Sequence, residues 1–300
     1  MKPSSSYLQP QVLINDPLKE LTKKSFYAKQ EQAMQEILSD LTLPDDWDEF
    51  IHTVTTEQIA NEVTQPNPTN PYLWKKEANK IHILINENNA QHLSESDFQI
   101  TPKSIHSPII SGDFLYPVSN FKITRGGNGA LLITLDLDSK TEQLEWPVLI
   151  SGGDDVDPFS SFILAHAALS FNQYFLFFYW ALKSGTSGYT PAKRSLGSAY
   201  FALKKVDESI FWFAQYAIET HDNFSQVVVS QYLIESNPPD CDPILAENIL
   251  INVAKQGFQD AFYELGYLHL QKLPNWNNDE KLALQYLHES ADKFKDETAM

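Results

Sequence analysis

The chain has few arginines, one cysteine and a deficit of positive charge, and each shortage excludes something. The only arginines are Arg125 and Arg194. An organelle transit peptide is rich in arginine, and the opening MKPSSSYLQPQVLINDPLKE has no 7–15 residue apolar core of a secretory signal, so the expected location is the cytoplasm. With Cys241 as its single cysteine the chain forms no internal disulfide, and nothing in it requires an oxidising compartment. Bases number 22 against 39 acids, a formal net charge of −17. Binders of phosphate backbones and of anionic lipid surfaces present basic faces, so nucleic acid and membrane are not expected partners. Long unbroken apolar runs are also missing. The nearest, residues 162–182, is interrupted by His166, Ser170, Asn172 and Gln173. Polar residues at its middle read as a turn between two buried helices rather than as a membrane span.

What is present is a chain of 300 residues, 42% apolar and 12% aromatic, enough for two domains with a sizeable core. Residues 1–15 read as a flexible arm. Leu18, Leu21, Met34, Ile37, Leu38 and Leu41 recur at helical spacing over 17–41. Trp47, Phe50, Ile51, Val54 and Ile59 do so over 46–63, after a start at Pro44-Asp45. QPNPTNP at 65–71 breaks the pattern, and 72–88 is ambiguous between helix and strand. From about residue 108 the period becomes two. Phe121–Thr124 and Ala130–Leu137 flank Arg125-Gly126-Gly127-Asn128-Gly129, a hairpin signal, and a turn at Asp138–Lys140 leads to a candidate edge strand 143–150 containing Pro147. These features predict an N-terminal α+β domain over 16–155, with a small antiparallel sheet of three or four strands packed on the helices.

After SGGDDVDP (151–158) the pattern is helical to the end and repeats. Leu164-Ala165, Leu196-Gly197, Val228-Val229 and Leu265-Gly266 align at spacings of 32, 32 and 37 residues. Each is followed by a second apolar helix, near 173–184, 207–220, 243–256 and 279–292. Small residues on the first helix of each pair let the second approach closely. Asp157-Pro158 and Asp242-Pro243 place a capping residue before a proline at the first helical position.

AKRSLGSAYFALKKVDESIFWFAQYAIE (192–219) and DAFYELGYLHLQKLPNWNNDEKLALQYLHESADK (260–293) carry a resemblance to the tetratricopeptide repeat family and its Sel1-like relatives. The second copy has a longer inter-helix loop at 272–278, as Sel1-like repeats do. Tyr216 departs from the family pattern where a small residue is expected, as does Val228-Val229 in place of Leu-Gly. The resemblance covers 159–300. It implies a mainly α chain whose residues 156–300 form an α-solenoid of about four helix pairs, an interaction module that does no chemistry and holds a protein or peptide partner in its concave groove. Carried over by position, that groove is lined by Arg194, Ser198 and Phe201 in the second pair, Gln226, Ser230 and Leu233 in the third, and Tyr263, Tyr267 and Gln271 in the fourth.

Other chemistry is thinly represented. The glycine-rich stretch 125–129 lacks both the GxxxxGK[ST] and GxGxxG frames and lies between strands, so it reads as a turn. Asp154, Asp155 and Asp157 could serve a hard cation, but the DxDxDG register is absent and acids favour a helix N-terminus. No HExxH, CxxC or His pair at i,i+4 supports a zinc site. His166 and His269 fall on first helices as packing or groove residues. Acidic neighbours disfavour a nucleophilic Cys241. Sixteen aromatic residues fall within 159–216, more than a core needs on runs as dense as Phe175–Trp180.

The expectation is therefore a non-catalytic adaptor or scaffold with no metal or cofactor. The alternatives are an acidic inhibitor or immunity-type protein for a basic partner, steered by the −17 charge, and an enzyme with a site near the 151–157 loop. Residues 295–300 fall in phase with a fifth pair. An uncapped solenoid edge of this kind is expected to dock on another chain, giving a homodimer, or to fray.

Overall fold

The computed structural model describes residues 7–54, 70–153 and 155–298. The chain divides into two compact units, one of residues 40–192 and one built from residues 1–39 together with 193–300. The units do not divide at the expected boundary of 155/156.

In the 40–192 unit, α3 (Trp47–Ile51) is followed by two antiparallel four-stranded sheets. The first has the order β1 (Leu73–Glu77), β2 (Lys80–Ile85), β7 (Leu131–Asp136), β6 (Asn120–Arg125). The ambiguous 72–88 segment is thus a hairpin followed by a short helix, α4 (Glu87–Ala90). In β2 and β7 every second residue is buried, Ile81, Ile83 and Ile85 beside Leu131, Ile133 and Leu135. That alternation is the period of a sheet with one covered face. The second sheet has the order β3 (Gln99–Ile100), β4 (Ser104–His106), β5 (Ser111–Phe114), β8 (Ile150–Gly152).

The expected edge strand 143–150 is not formed. Asp138 Oδ1 accepts from Lys140 N and Thr141 N, each at 2.9 Å, and starts a run of turns; only Ile150–Gly152 pairs, and it does so in the second sheet. The expected helix over 46–63 is described only to residue 54. Ile59 and the 65–69 part of the breaker lie outside the described residues, as do Asp154 and residues 1–6.

The unit ends with α5 (Pro158–Ser170) packed on α6 (Tyr174–Thr186). Asn172, in the left-handed region at φ +58°, makes the turn between them. Trp47 packs on Trp180 with centroids 5.2 Å apart and donates Nε1–H to Ser151 O at 2.7 Å. Among the described residues no helix is long and apolar enough to cross a membrane.

The helices run on as α7 (Thr190–Ala202), α8 (Val206–Thr220), α9 (Asn223–Glu235), α10 (Pro243–Lys255), α11 (Gln259–Leu270) and α12 (Glu280–Thr298). They pack as sequential neighbours, the arrangement of a helical repeat. Asp157, Asp222 and Asp242 cap α5, α9 and α10, each accepting from a backbone N–H three residues on. Glycines set the pair spacing. A Cβ on Gly266 would lie 2.6 Å from Leu287 Cγ, and one on Gly197 3.1 Å from the Phe213 ring.

Residues 7–15 are not a free arm. Leu8 is 1% exposed in the core of the helical unit, and the chain continues through α1 (Pro17–Glu20), a 3-10 turn (Leu21–Lys23) and α2 (Ser25–Asp40). Leu18, Leu21 and Phe26 join the same core.

Candidate partner-binding surfaces

The helical unit has two kinds of surface, one made by the first helices of the pairs (α7, α9, α11) and one by the second (α8, α10, α12). On the first helices, Arg194 and Ser198 are exposed, Phe201 is 66% exposed and Tyr263 54% exposed, while Tyr267 and Gln271 are half-buried. Phe224 on α9 and Leu270 on α11 add exposed apolar area.

Gln226, Ser230 and Leu233 do not lie on that surface; all three are buried. The cause is a one-residue slip in the third pair. Buried positions recur as Lys193, Gly197 and Tyr200 in α7, Gln226, Ser230 and Leu233 in α9, and Phe262, Gly266 and His269 in α11. The residue that faces the second helix is therefore Gly197, then Ser230, then Gly266, at spacings of 33 and 36 residues. One residue is about 100° of helix, enough to exchange a solvent-facing stripe for a packing one. In the corrected register the counterpart of Ser198 and Tyr267 is Gln231, which is exposed. Reading Val229-Ser230 as the equivalent of Leu265-Gly266 would have found it.

The surface of the second helices is covered by the chain's own N-terminal segment, which sequence reasoning missed. Gln11 N–H donates to Glu247 Oε2 at 2.6 Å, and its side chain donates to Asn277 O at 2.8 Å. Asn248 accepts from Ile14 N–H and donates to Val12 O. Tyr286 donates its hydroxyl to Tyr7 O at 3.0 Å. Further on, Asp240 accepts from Ser25 Oγ and Phe26 N, and Asp242 pairs with Lys24. Beneath this segment Glu247 and His269 are fully buried, with Oε1 and Nε2 3.3 Å apart and the imidazole against Trp276 and Tyr286. His269 is thus a packing residue. His166 is half-buried against Phe162, and desolvation holds its pKa down at about 4.

On α11, Glu264 is 8% exposed and its Oε2 is buried without a hydrogen-bond partner. Burial first, then the charges of Glu235 and Asp260, push its pKa up to about 7.

The remaining candidates resolve into structural roles. Gly126 N–H bonds to Ala130 O and Gly129 N–H to Gly126 O, so the glycine stretch closes a hairpin. Asp157 is buried as the α5 cap, accepting from Ser160 N, Ser111 N and Tyr72 OH; burial raises its pKa and these hydrogen bonds oppose the rise. Burial and Asp242 raise the Cys241 thiol. Among the described residues no three His, Cys, Asp or Glu side chains converge as metal ligands do. No family model, no curated protein and no solved structure matches this chain.

Proposed function

We propose that the protein is a non-catalytic interaction module of the tetratricopeptide or Sel1-like kind, binding a protein or peptide partner on the surface of its first helices. One observation carries the reading. The second-helix surface is occupied by residues 7–26 of the same chain, whereas the first helices leave Phe201, Phe224, Tyr263 and Leu270 open to solvent. Exposed aromatic side chains on a rigid scaffold are the usual anchors of protein interfaces. The same unit also holds an irregular stretch of polypeptide through side-chain hydrogen bonds to its backbone, at Glu247 and Asn248. Recognition of a non-helical segment is thus within the chemistry of these helices.

The test compares wild type with the Phe201→Ala/Tyr263→Ala variant as baits in native lysate, quantifying each retained protein by mass spectrometry. A partner held by wild type and reduced at least fivefold by the variant supports the reading. An unchanged retained set overturns the surface assignment.

A further inference from the structure

We infer that the acidic cluster around Glu264, on the neighbouring first helices α9 and α11, receives an arginine side chain of the bound partner. This deepens the reading above and rests on it.

Three carboxylates gather here. Asp260 stands one turn before Glu264 on α11, and Glu235 is the last residue of α9, the helix packed beside α11. Asp260 and Glu235 are exposed, while Glu264 is buried. None of the three forms an ion pair with a described residue.

Glu264 differs from the other buried carboxylates. Asp157 accepts from two backbone N–H groups and a hydroxyl, Asp240 from Ser25 and Phe26, and Glu247 from Gln11 N–H with His269 beside it. The Glu264 carboxylate receives no hydrogen bond, and its Oε2 is shut off from water. An unsatisfied buried carboxyl is costly, and Oε1, which is not closed off, is the oxygen through which an added donor would relieve it. With two further negative charges acting on it, the donor that fits is cationic.

The surroundings favour guanidinium over ammonium. Tyr267 lies three residues after Glu264 and Tyr263 three after Asp260, so each phenol neighbours a carboxylate on the α11 surface. A planar guanidinium stacks on such rings while it donates to Oε1 of Glu264 and to the exposed Asp260 carboxylate, a fork that a compact ammonium does not offer. The chain's net charge of −17 favours the approach of a basic segment.

The experiment titrates the intact protein with N-acetyl-arginine-methylamide, following side-chain carboxyl and tyrosine ring resonances by NMR. N-acetyl-citrulline-methylamide, equal in shape and uncharged, is the control. The expected result is a saturable shift at Glu264 and Tyr267 with the arginine probe, at least tenfold weaker binding of the citrulline probe, and a similar loss in Glu264→Gln. No saturable shift, equal response to citrulline, or full binding by Glu264→Gln overturns the proposal. Circular dichroism confirms that the variant is folded before it is scored. A lysate partner that needs Phe201 and Tyr263 but is retained by Glu264→Gln would leave the interaction reading standing and remove the arginine site.

Discussion

Asn248 holds Ile14 from a distance of 234 residues along the chain, its Oδ1 accepting the Ile14 N–H at 2.8 Å. Its Nδ2 donates to Val12 O at 2.7 Å and to Ile244 O at 2.8 Å, so one carboxamide reads both an N–H and a C=O of the irregular N-terminal backbone. Asn248→Ala leaves those groups without partners beneath the segment. The expected cost is ~1–3 kcal/mol, measured by urea unfolding, with faster hydrogen exchange at the Ile14 amide. Exchange at Ile14 equal to wild type would show that the clamp does not hold the segment.

The buried Glu247–His269 contact gives a second test. His269→Leu leaves the Glu247 carboxyl buried opposite an apolar side chain and is expected to cost ~1–3 kcal/mol. Adding Glu247→Gln replaces the stranded acid by an amide and keeps an acceptor for Gln11 N–H, so the double variant should recover most of the loss. Strictly additive losses in the double-mutant cycle would count against a coupled pair.

Helix spacing gives a third. An alanine Cβ at position 266 would meet Leu287 Cγ at 2.6 Å and Ala283 O at 3.2 Å, whereas at 197 its nearest neighbours are atoms of the Phe213 ring at 3.1 Å. Gly266→Ala is therefore expected to lose ~1–3 kcal/mol by overpacking. Gly197→Ala should lose less, because a helical alanine returns ~0.5–1 kcal/mol over glycine. Urea midpoints of the two variants should fall in that order.

The fourth concerns pH. Glu264 titrates near 7 in the folded chain against an ordinary 4.5. The folded state therefore keeps a proton that the unfolded state releases, and stability falls as pH rises from about 4.5 to about 7. Below that window the group contributes nothing; above it the penalty is complete, its size reduced by solvent screening. Glu264→Gln should be more stable than wild type at pH 8 and equal to it at pH 4.5. A difference that is constant across this range would refute the assignment.

The helical half of the fold was legible because its signals are local. Asp-Pro starts at 157–158 and 242–243 and a glycine stop at 257 bracket helices without reference to distant residues, and 207–220 was expected where Val206–Thr220 forms. The packing stripe was legible in α7 and α11, where Leu-Gly marks it and the residues carried over beside it are exposed or half-buried. It was not legible in α9, where Val227, Val228 and Val229 stand in a row and do not distinguish one stripe from the next. The hairpin at 73–85 was obscured by the apolar run Ile81–Ile85, whose alternation emerges only once β2 pairs with β7 and every second side chain is buried on one face of their sheet. The docking of residues 7–15 was illegible for a different reason. Nothing in Tyr7-Leu8-Gln9 announces a partner more than two hundred residues away, and Glu247 and Asn248 look like surface residues of α10 until the segment lies over them.

That long-range tie orders the protein's birth on the ribosome. Gln11 cannot meet Glu247 until 236 further residues have been made, roughly ten to fifty seconds at ordinary synthesis rates. Through that interval Leu8, Leu18, Leu21 and Phe26 wait without their helices while the whole 40–192 unit is delivered and free to fold first. Until α10 is made, the apolar side chains of residues 8–26 stay without the surface that buries them, an exposure during synthesis that the 40–192 unit does not share.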